Sequence, residues 1–150
     1  PKHIKFSKLI EISTREKNRK KRIVLCHGVF DLLHLGHIKY LQEAKSLGDI
    51  LLVTITPDRF VNKGPGRPAF NEKHRAEAIA ALEVVDYVVI FDEDTPYELI
   101  KAIKPHTLVK GEDYKGKEVV GQDIADELKL VEFVDGKSST QTIEKIKQYN

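Results

Sequence analysis

His34-Leu35-Gly36-His37 sets two imidazoles and a glycine within one short stretch of chain. It follows an apolar run, Ile23 to Cys26, that reads as a buried strand, and it opens a segment, His37 to Ser46, with helical periodicity. A strand running into a helix N-terminus is a ready anion site, because first-turn N–H groups lack intrahelical partners and the helix end carries partial positive charge. Gly36 lets a phosphate approach the main chain, and imidazole N–H groups supply donors that can follow charge building on a leaving group. The chemistry indicated is phosphate chemistry. The plainer alternative is two surface histidines at a helix start.

A second anion-ready helix start is expected at Ser138-Ser139-Thr140-Gln141-Thr142, where hydroxyls meet free N–H groups; an ordinary serine/threonine N-cap would look the same. Asp31 and Asp113 are the acids nearest the expected phosphates, so a magnesium ion bridging phosphate oxygens is one reading of them. Asp31 is equally suited to accepting hydrogen bonds within its own turn.

The elements that must position these groups follow from the pattern. Short apolar runs alternate with longer amphipathic stretches, as in βα units on a parallel sheet covered on both faces. Strands are expected at Ile23 to Cys26, Ile50 to Ile55, Tyr87 to Phe91, Thr107 to Val109 and Leu130 to Val134. Helices are expected at His37 to Ser46, Asn71 to Ala81, Pro96 to Ile103, Val120 to Glu127 and Thr140 to Gln148. Gly48 should end the first helix, Asp94-Thr95-Pro96 should start the third, and Lys104-Pro105 should close it. The fold class expected is α/β, a Rossmann-like open parallel five-stranded sheet with helices on both faces. Its ligand crevice should lie at the carboxyl ends of the strands. Three loops fall there: Gly28 to Gly36, Pro57 to Pro68 and Lys110 to Tyr114.

The chain has 150 residues, and we read 1–150 as one domain whose first 21 residues are an N-terminal helix and basic linker. With 25 basic and 23 acidic residues the formal charge is +2, too balanced to demand a nucleic-acid or membrane partner. Arg15 to Arg22 is a strong basic run; without interleaved aromatic residues it suits a solvated helix end better than a nucleic-acid surface. Cys26 stands alone in an apolar strand, where a small buried hydrophobe is the expected role, and a reducing cytoplasm fits. Pro1 to Ile12 has no continuous apolar core of the secretory kind, and no apolar run approaches the ~20 residues of a membrane helix.

Gly28-x-Phe30-Asp31-x-x-His34-x-Gly36-His37, in this order behind an expected strand, resembles the signature of the nucleotidyltransferase superfamily. That superfamily includes cytidylyl- and adenylyltransferases and is distantly related to the class I aminoacyl-tRNA synthetases. The resemblance implies that His34 and His37 contact the triphosphate and stabilise the transition state at the α-phosphorus, as catalytic residues. Lys63, on a Gly/Pro loop able to close over substrate, matches a lysine that holds the nucleotide's phosphates and joins the catalytic set. Gly28, Val29, Phe30, Gly36, Lys110, Gly111, Asp113, Ser138, Ser139 and Thr140 are implied to bind the nucleotide, the last three on a turn comparable to the KMSKS loop of the synthetases. Arg67 and Arg75 match basic positions that meet the second substrate's phosphate or the triphosphate. Mg²⁺ accompanies ATP or CTP, Asp31 is the candidate ligand, and the superfamily implies a homodimer.

Gly28 to Asp31, Arg67-Pro68, Ala81 to Asp86, Asp92 to Pro96, Leu108 to Tyr114 and the Ser-Ser-Thr turn narrow the resemblance to adenylyltransferases that make ADP-heptose from D-glycero-β-D-manno-heptose 1-phosphate, a domain often fused to a sugar kinase. A place in lipopolysaccharide or capsule biosynthesis is thereby implied. Two positions depart from that pattern: Glu112 replaces the second glycine of Lys-Gly-Gly-Asp-Tyr, and Thr56-Pro57-Asp58 replaces Asn-Ser-Asp. The expected partners are therefore a nucleoside triphosphate and a sugar phosphate, with AMP transferred and pyrophosphate released. A cytidylyltransferase making a CDP-activated polyol or sugar is the enzymatic alternative. A nucleotide- or nucleic-acid-binding module without turnover, using the basic run, is the alternative of another class.

Overall fold

The computed structural model describes residues 1–61, 64–93 and 95–132. Five strands form one parallel sheet in the order β3-β2-β1-β4-β5: β1 Ile23–Gly28, β2 Ile50–Ile55, β3 Tyr87–Ile90, β4 Thr107–Gly111 and β5 Glu127–Val131. The strand order reverses between β1 and β4, so the crevice of this open sheet opens beyond Gly28 and Gly111.

The central strands are apolar throughout because both faces are covered, and alternation sorts their residues into two cores. Val24, Cys26, Leu51, Val53, Val88 and Val109 face one way, beneath α2 (Leu35–Ser46) and α3 (Glu72–Ala80). Leu25, Leu52, Val89 and Leu108 face the other, beneath α1 (Phe6–Asn18) and α4 (Tyr97–Ile103). Full burial of each such side chain is worth about 1.5–3 kcal/mol, so these strands anchor the rest. Gly48 lets the chain turn tightly into β2: a Cβ there would stand 2.7 Å from Val24 Cγ2 and 2.9 Å from the Arg22 carbonyl.

Four strands and three helices lie where the sequence expects them, give or take two residues. Two expectations need correction. Val120 to Glu127 is not a helix but a series of turns, in which Gly121 takes φ +89 and packs on Ile100; a left-handed residue wedged against another helix cannot sit inside a right-handed one. The last strand accordingly begins earlier, at Glu127 rather than Leu130. The expected helix from Thr140 to Gln148 lies outside the described residues. At the other end, Lys2 to Ile4 runs along the edge of β3, with Val88 N donating to the Lys2 carbonyl at 2.9 Å and Ile4 N to the Val88 carbonyl at 3.0 Å.

Much of the basic run is used within the fold. Lys17 Nζ donates to the Ile103 and Lys104 carbonyls at 2.6 Å each, closing the C-terminus of α4, while Glu16 accepts from Arg15 and Arg19. Burial and desolvation push the Cys26 thiol up to about 12, as suits a core residue rather than a nucleophile.

Candidate active site

The loop leaving β1 turns sharply. Phe30 takes a left-handed φ of 51, and its ring lies over Gly28, where a Cβ would stand only 2.9 Å away. The turn delivers His34 in extended conformation as the N-cap of α2. Gly36 N donates to His34 Nδ1 at 3.1 Å, and His34 N donates to His37 Nδ1 at 3.4 Å. The two imidazoles thus cap the helix reciprocally, a task usually given to a hydroxyl and a carboxylate.

This cap decides the tautomers. An Nδ1 that accepts a backbone N–H carries no proton, so in each neutral ring the proton sits on Nε2. The rings lie 4.2 Å apart, and Phe30 meets His37 edge-on at 5.9 Å. His34 Nε2 is buried and has no hydrogen-bond partner among the described residues. A buried unsatisfied donor costs about 1–3 kcal/mol, a cost that a bound acceptor removes. Such a donor at a helix N-terminus suits an anion.

Two basic and one acidic expectations change meaning. Arg75, expected at a substrate phosphate, is fully buried: Nη1 donates to the Val29 carbonyl at 2.8 Å, Nε to the Phe70 carbonyl at 3.0 Å and Nη2 to Asp58 Oδ1 at 2.7 Å. Its planar fork fastens the loop after β1 to the loop after β2, and it faces no crevice. Asp31, expected as a metal ligand, accepts from Ala69 N at 2.7 Å, Phe70 N at 2.9 Å and Arg67 Nε at 3.2 Å, with its side chain sealed from solvent. Three of its roughly four acceptor positions are taken, so the carboxylate is a structural acceptor and does not fit a magnesium ion. No cluster of three metal-ligating side chains occurs among the described residues. Arg67 is drawn inward by the same pair, its side chain only 4 % exposed.

The structure brings Gly28, Val29, Phe30, His34, Gly36 and His37 together around the start of α2, with Asp31, Arg67 and Arg75 behind them. From the neighbouring strand, Lys110 reaches across the switch point and donates from Nζ to the His27 carbonyl at 3.1 Å; Gly111 and Asp113 follow it. Lys110 Nζ also lies 4.8 Å above the Tyr114 ring, and desolvation holds its ammonium below the usual lysine range. Lys63, Ser138, Ser139 and Thr140 lie outside the described residues.

His27 belongs to no motif in the sequence, yet its carbonyl and ring lie beside the site. Its ring contacts Thr54 Oγ1 at 3.0 Å and Thr56 Oγ1 at 3.4 Å and lies 4.9 Å from the Phe91 ring. Burial, and after it the nearby Lys110 charge, lowers its imidazole to about 3, so it is neutral under ordinary conditions. The run Ile23 to His27 gave no polar alternation that would have marked it.

Residues 25–150 match the cytidylyltransferase-like family. The Bifunctional protein HldE of Aliarcobacter butzleri is 58% identical over 149 residues, covering 97% of this chain and 31% of that protein. The protein of the same name from Helicobacter pylori strain J99 is 51% identical over 150 residues, covering 99% and 32%. The chain thus spans about a third of the length of the curated relatives it matches. Among solved structures, the lipopolysaccharide core biosynthesis protein from Thermoplasma volcanium GSS1 aligns with a TM-score of 0.64 at 34% identity, over 75% of this chain and 96% of that one. Pantothenate synthetase from Thermus thermophilus aligns with a TM-score of 0.59 at 14% identity, over 88% of this chain and 62% of that one, a likeness of fold alone.

Proposed function

We propose a reaction for this chain from one premise: it belongs to the cytidylyltransferase-like family. The reaction is nucleotidyl transfer from ATP to a sugar 1-phosphate such as D-glycero-β-D-manno-heptose 1-phosphate. An oxygen of the sugar phosphate attacks the α-phosphorus in line, the bond from that phosphorus to the bridging oxygen breaks, and pyrophosphate leaves with the electron pair. A nucleoside diphosphate sugar remains.

The observation that carries this reading is the buried His34 Nε2, a donor fixed in its tautomer by the Gly36 N–H and set at a helix N-terminus. His37, oriented through its Nδ1, is the second imidazole at this helix start. In phosphoryl transfer the protein mainly positions reactants and stabilises charge, and preorganised donors do this without reorganising during the reaction. Gly28, Val29, Phe30 and Gly36 form the floor on which the triphosphate rests and Gly111 and Asp113 the facing wall, with Lys110 at the seam where the two substrates' phosphates meet. Lys63 and the Ser138 to Thr140 turn belong to the same proposal through the family resemblance.

A magnesium ion would be held by the substrate's phosphates rather than by Asp31, and would supply neutralisation of their charge. The choice of a heptose phosphate draws on the similarity to the proteins named HldE and to the lipopolysaccharide core biosynthesis protein. A homodimer and a cytoplasmic location are parts of the same proposal; among the described residues no helix is long and apolar enough to cross a membrane.

The test is a matrix of pyrophosphate release in which ATP and CTP are each paired with heptose 1-phosphate, glucose 1-phosphate and glycerol 3-phosphate. Release is expected with ATP and heptose 1-phosphate. Release confined to CTP with glycerol 3-phosphate would replace this reading by the cytidylyltransferase one.

A further inference from the structure

A cavity of about 210 Å³ opens at the carboxyl ends of β1 and β4, on the opposite face of the sheet from α2. Strand alternation explains its contents. Lys110 follows Leu108, and His27 follows Leu25, so both point toward the α4 side. Thr95 comes from the approach to α4, and Tyr114 and Glu118 come from the crossover between β4 and β5.

That crossover is anchored. Gly121 approaches Ile100 so closely that a Cβ would stand 2.5 Å from Ile100 Cδ1, and Val119 N donates to Gln122 Oε1 at 2.8 Å. Glu118 therefore stands at a defined place on the cavity wall although its side chain is exposed. The cavity holds an aromatic face, a carboxylate, a hydroxyl and an ammonium. An ammonium has three donors, and the His27 carbonyl uses one of Lys110's. A carboxylate and a hydroxyl suit the hydroxyl groups of a sugar, and an ammonium suits its phosphate. The volume lies below the roughly 300–1,000 Å³ of sites for drug-sized ligands, so it suits one monosaccharide unit rather than a nucleoside triphosphate.

We infer that this cavity takes the sugar 1-phosphate, with Glu118 accepting its hydroxyls as the specificity-determining residue and Lys110, held between the His27 carbonyl and the Tyr114 ring, meeting its phosphate. The assignment rests on the reaction proposed above for the identity of the sugar. It places the acceptor across the β1–β4 seam from the His34 and His37 donors. Glu118 also disfavours acceptors that bring a second anionic group to this wall.

The test is calorimetric titration of heptose 1-phosphate into the full chain, with and without a non-transferable ATP analogue, for the wild type, Glu118→Ala and Thr95→Ala. Both substitutions are outside the sheet core, and circular dichroism checks that the variants fold. Loss of a hydrogen bond to a charged group predicts a Kd for the sugar phosphate raised about tenfold in Glu118→Ala and less in Thr95→Ala, with ATP analogue affinity unchanged. An unchanged sugar affinity in Glu118→Ala, or no sugar binding by the wild type, would overturn the assignment. Because no turnover is read, tight sugar binding that depends on Glu118 supports the cavity even if no pyrophosphate is released, a result that would contradict the reaction alone.

Discussion

Arg67 Nε donates to Asp31 Oδ2 at 3.2 Å with both side chains sealed from solvent, so the loop after β2 is fastened to the loop after β1 by a buried ion pair. The same carboxylate accepts the Ala69 and Phe70 N–H groups. Removing it takes the carboxylate from a buried guanidinium and leaves the Ala69 and Phe70 N–H groups without their acceptor. Asp31→Ala should therefore lose about 3–5 kcal/mol of stability, measured by urea unfolding. A loss below about 1 kcal/mol would show that Asp31 is not the structural acceptor described.

Arg75 acts on the same two loops from the other side. Arg75→Lys keeps the charge but cannot reach the Val29 carbonyl, the Phe70 carbonyl and Asp58 together. We expect about 2 kcal/mol or more of lost stability in urea unfolding. Wild-type stability combined with a raised KM for either phosphate substrate would return Arg75 to the ligand-contacting role implied by the family resemblance.

His27 gives the fold an acid sensitivity whose sign can be worked out. Its folded-state value is lowered to about 3 from an ordinary 6.5, so between those limits the unfolded chain binds a proton that the folded chain refuses. The contribution of His27 to stability should fall as pH drops from about 6.5 toward 3, with a slope of at most about 1.4 kcal/mol per pH unit. Urea unfolding at pH 7, 5.5 and 4.5 should show a shallower decline for His27→Gln than for the wild type. Parallel declines would mean that the ring titrates normally in the folded protein.

The sheet was legible because its signals are local. Ile50 to Ile55 and Ile23 to Cys26 are apolar, β-branched runs of strand length, and His34 to His37 announces a helix start behind one of them. Sequence and structure part where tertiary packing decides. Val120 to Glu127 carries a passable helical pattern, but Gly121 must take a positive φ to pack on Ile100. Arg75 and Asp31 bear charges that suit ligands, and only burial reveals that protein groups take them up. His27 was hidden among apolar neighbours, and Glu118 carries no motif at all.

The reciprocal cap also separates folding from chemistry. His34→Asn retains an acceptor for the Gly36 N–H, since asparagine is a favoured N-cap, yet deletes the Nε2 donor. It should be at least as stable as the wild type in urea unfolding, since it also removes a buried unsatisfied donor, whereas His34→Ala should be about 0.5–2 kcal/mol less stable than His34→Asn. Equal stability of the two variants would show that the imidazole does not cap α2.

In the proposed transfer, imidazole donors at the start of α2 meet charge developing on the transferring phosphate. The most direct measurement is kcat for pyrophosphate release from ATP and heptose 1-phosphate, alongside Kd for ATP, in His34→Asn, His34→Ala and His37→Ala. Loss of one such donor predicts a fall in kcat of about 10²–10³-fold, with ATP affinity changed by far less. Wild-type turnover in either alanine variant would show that the imidazoles do not stabilise the transferring phosphate.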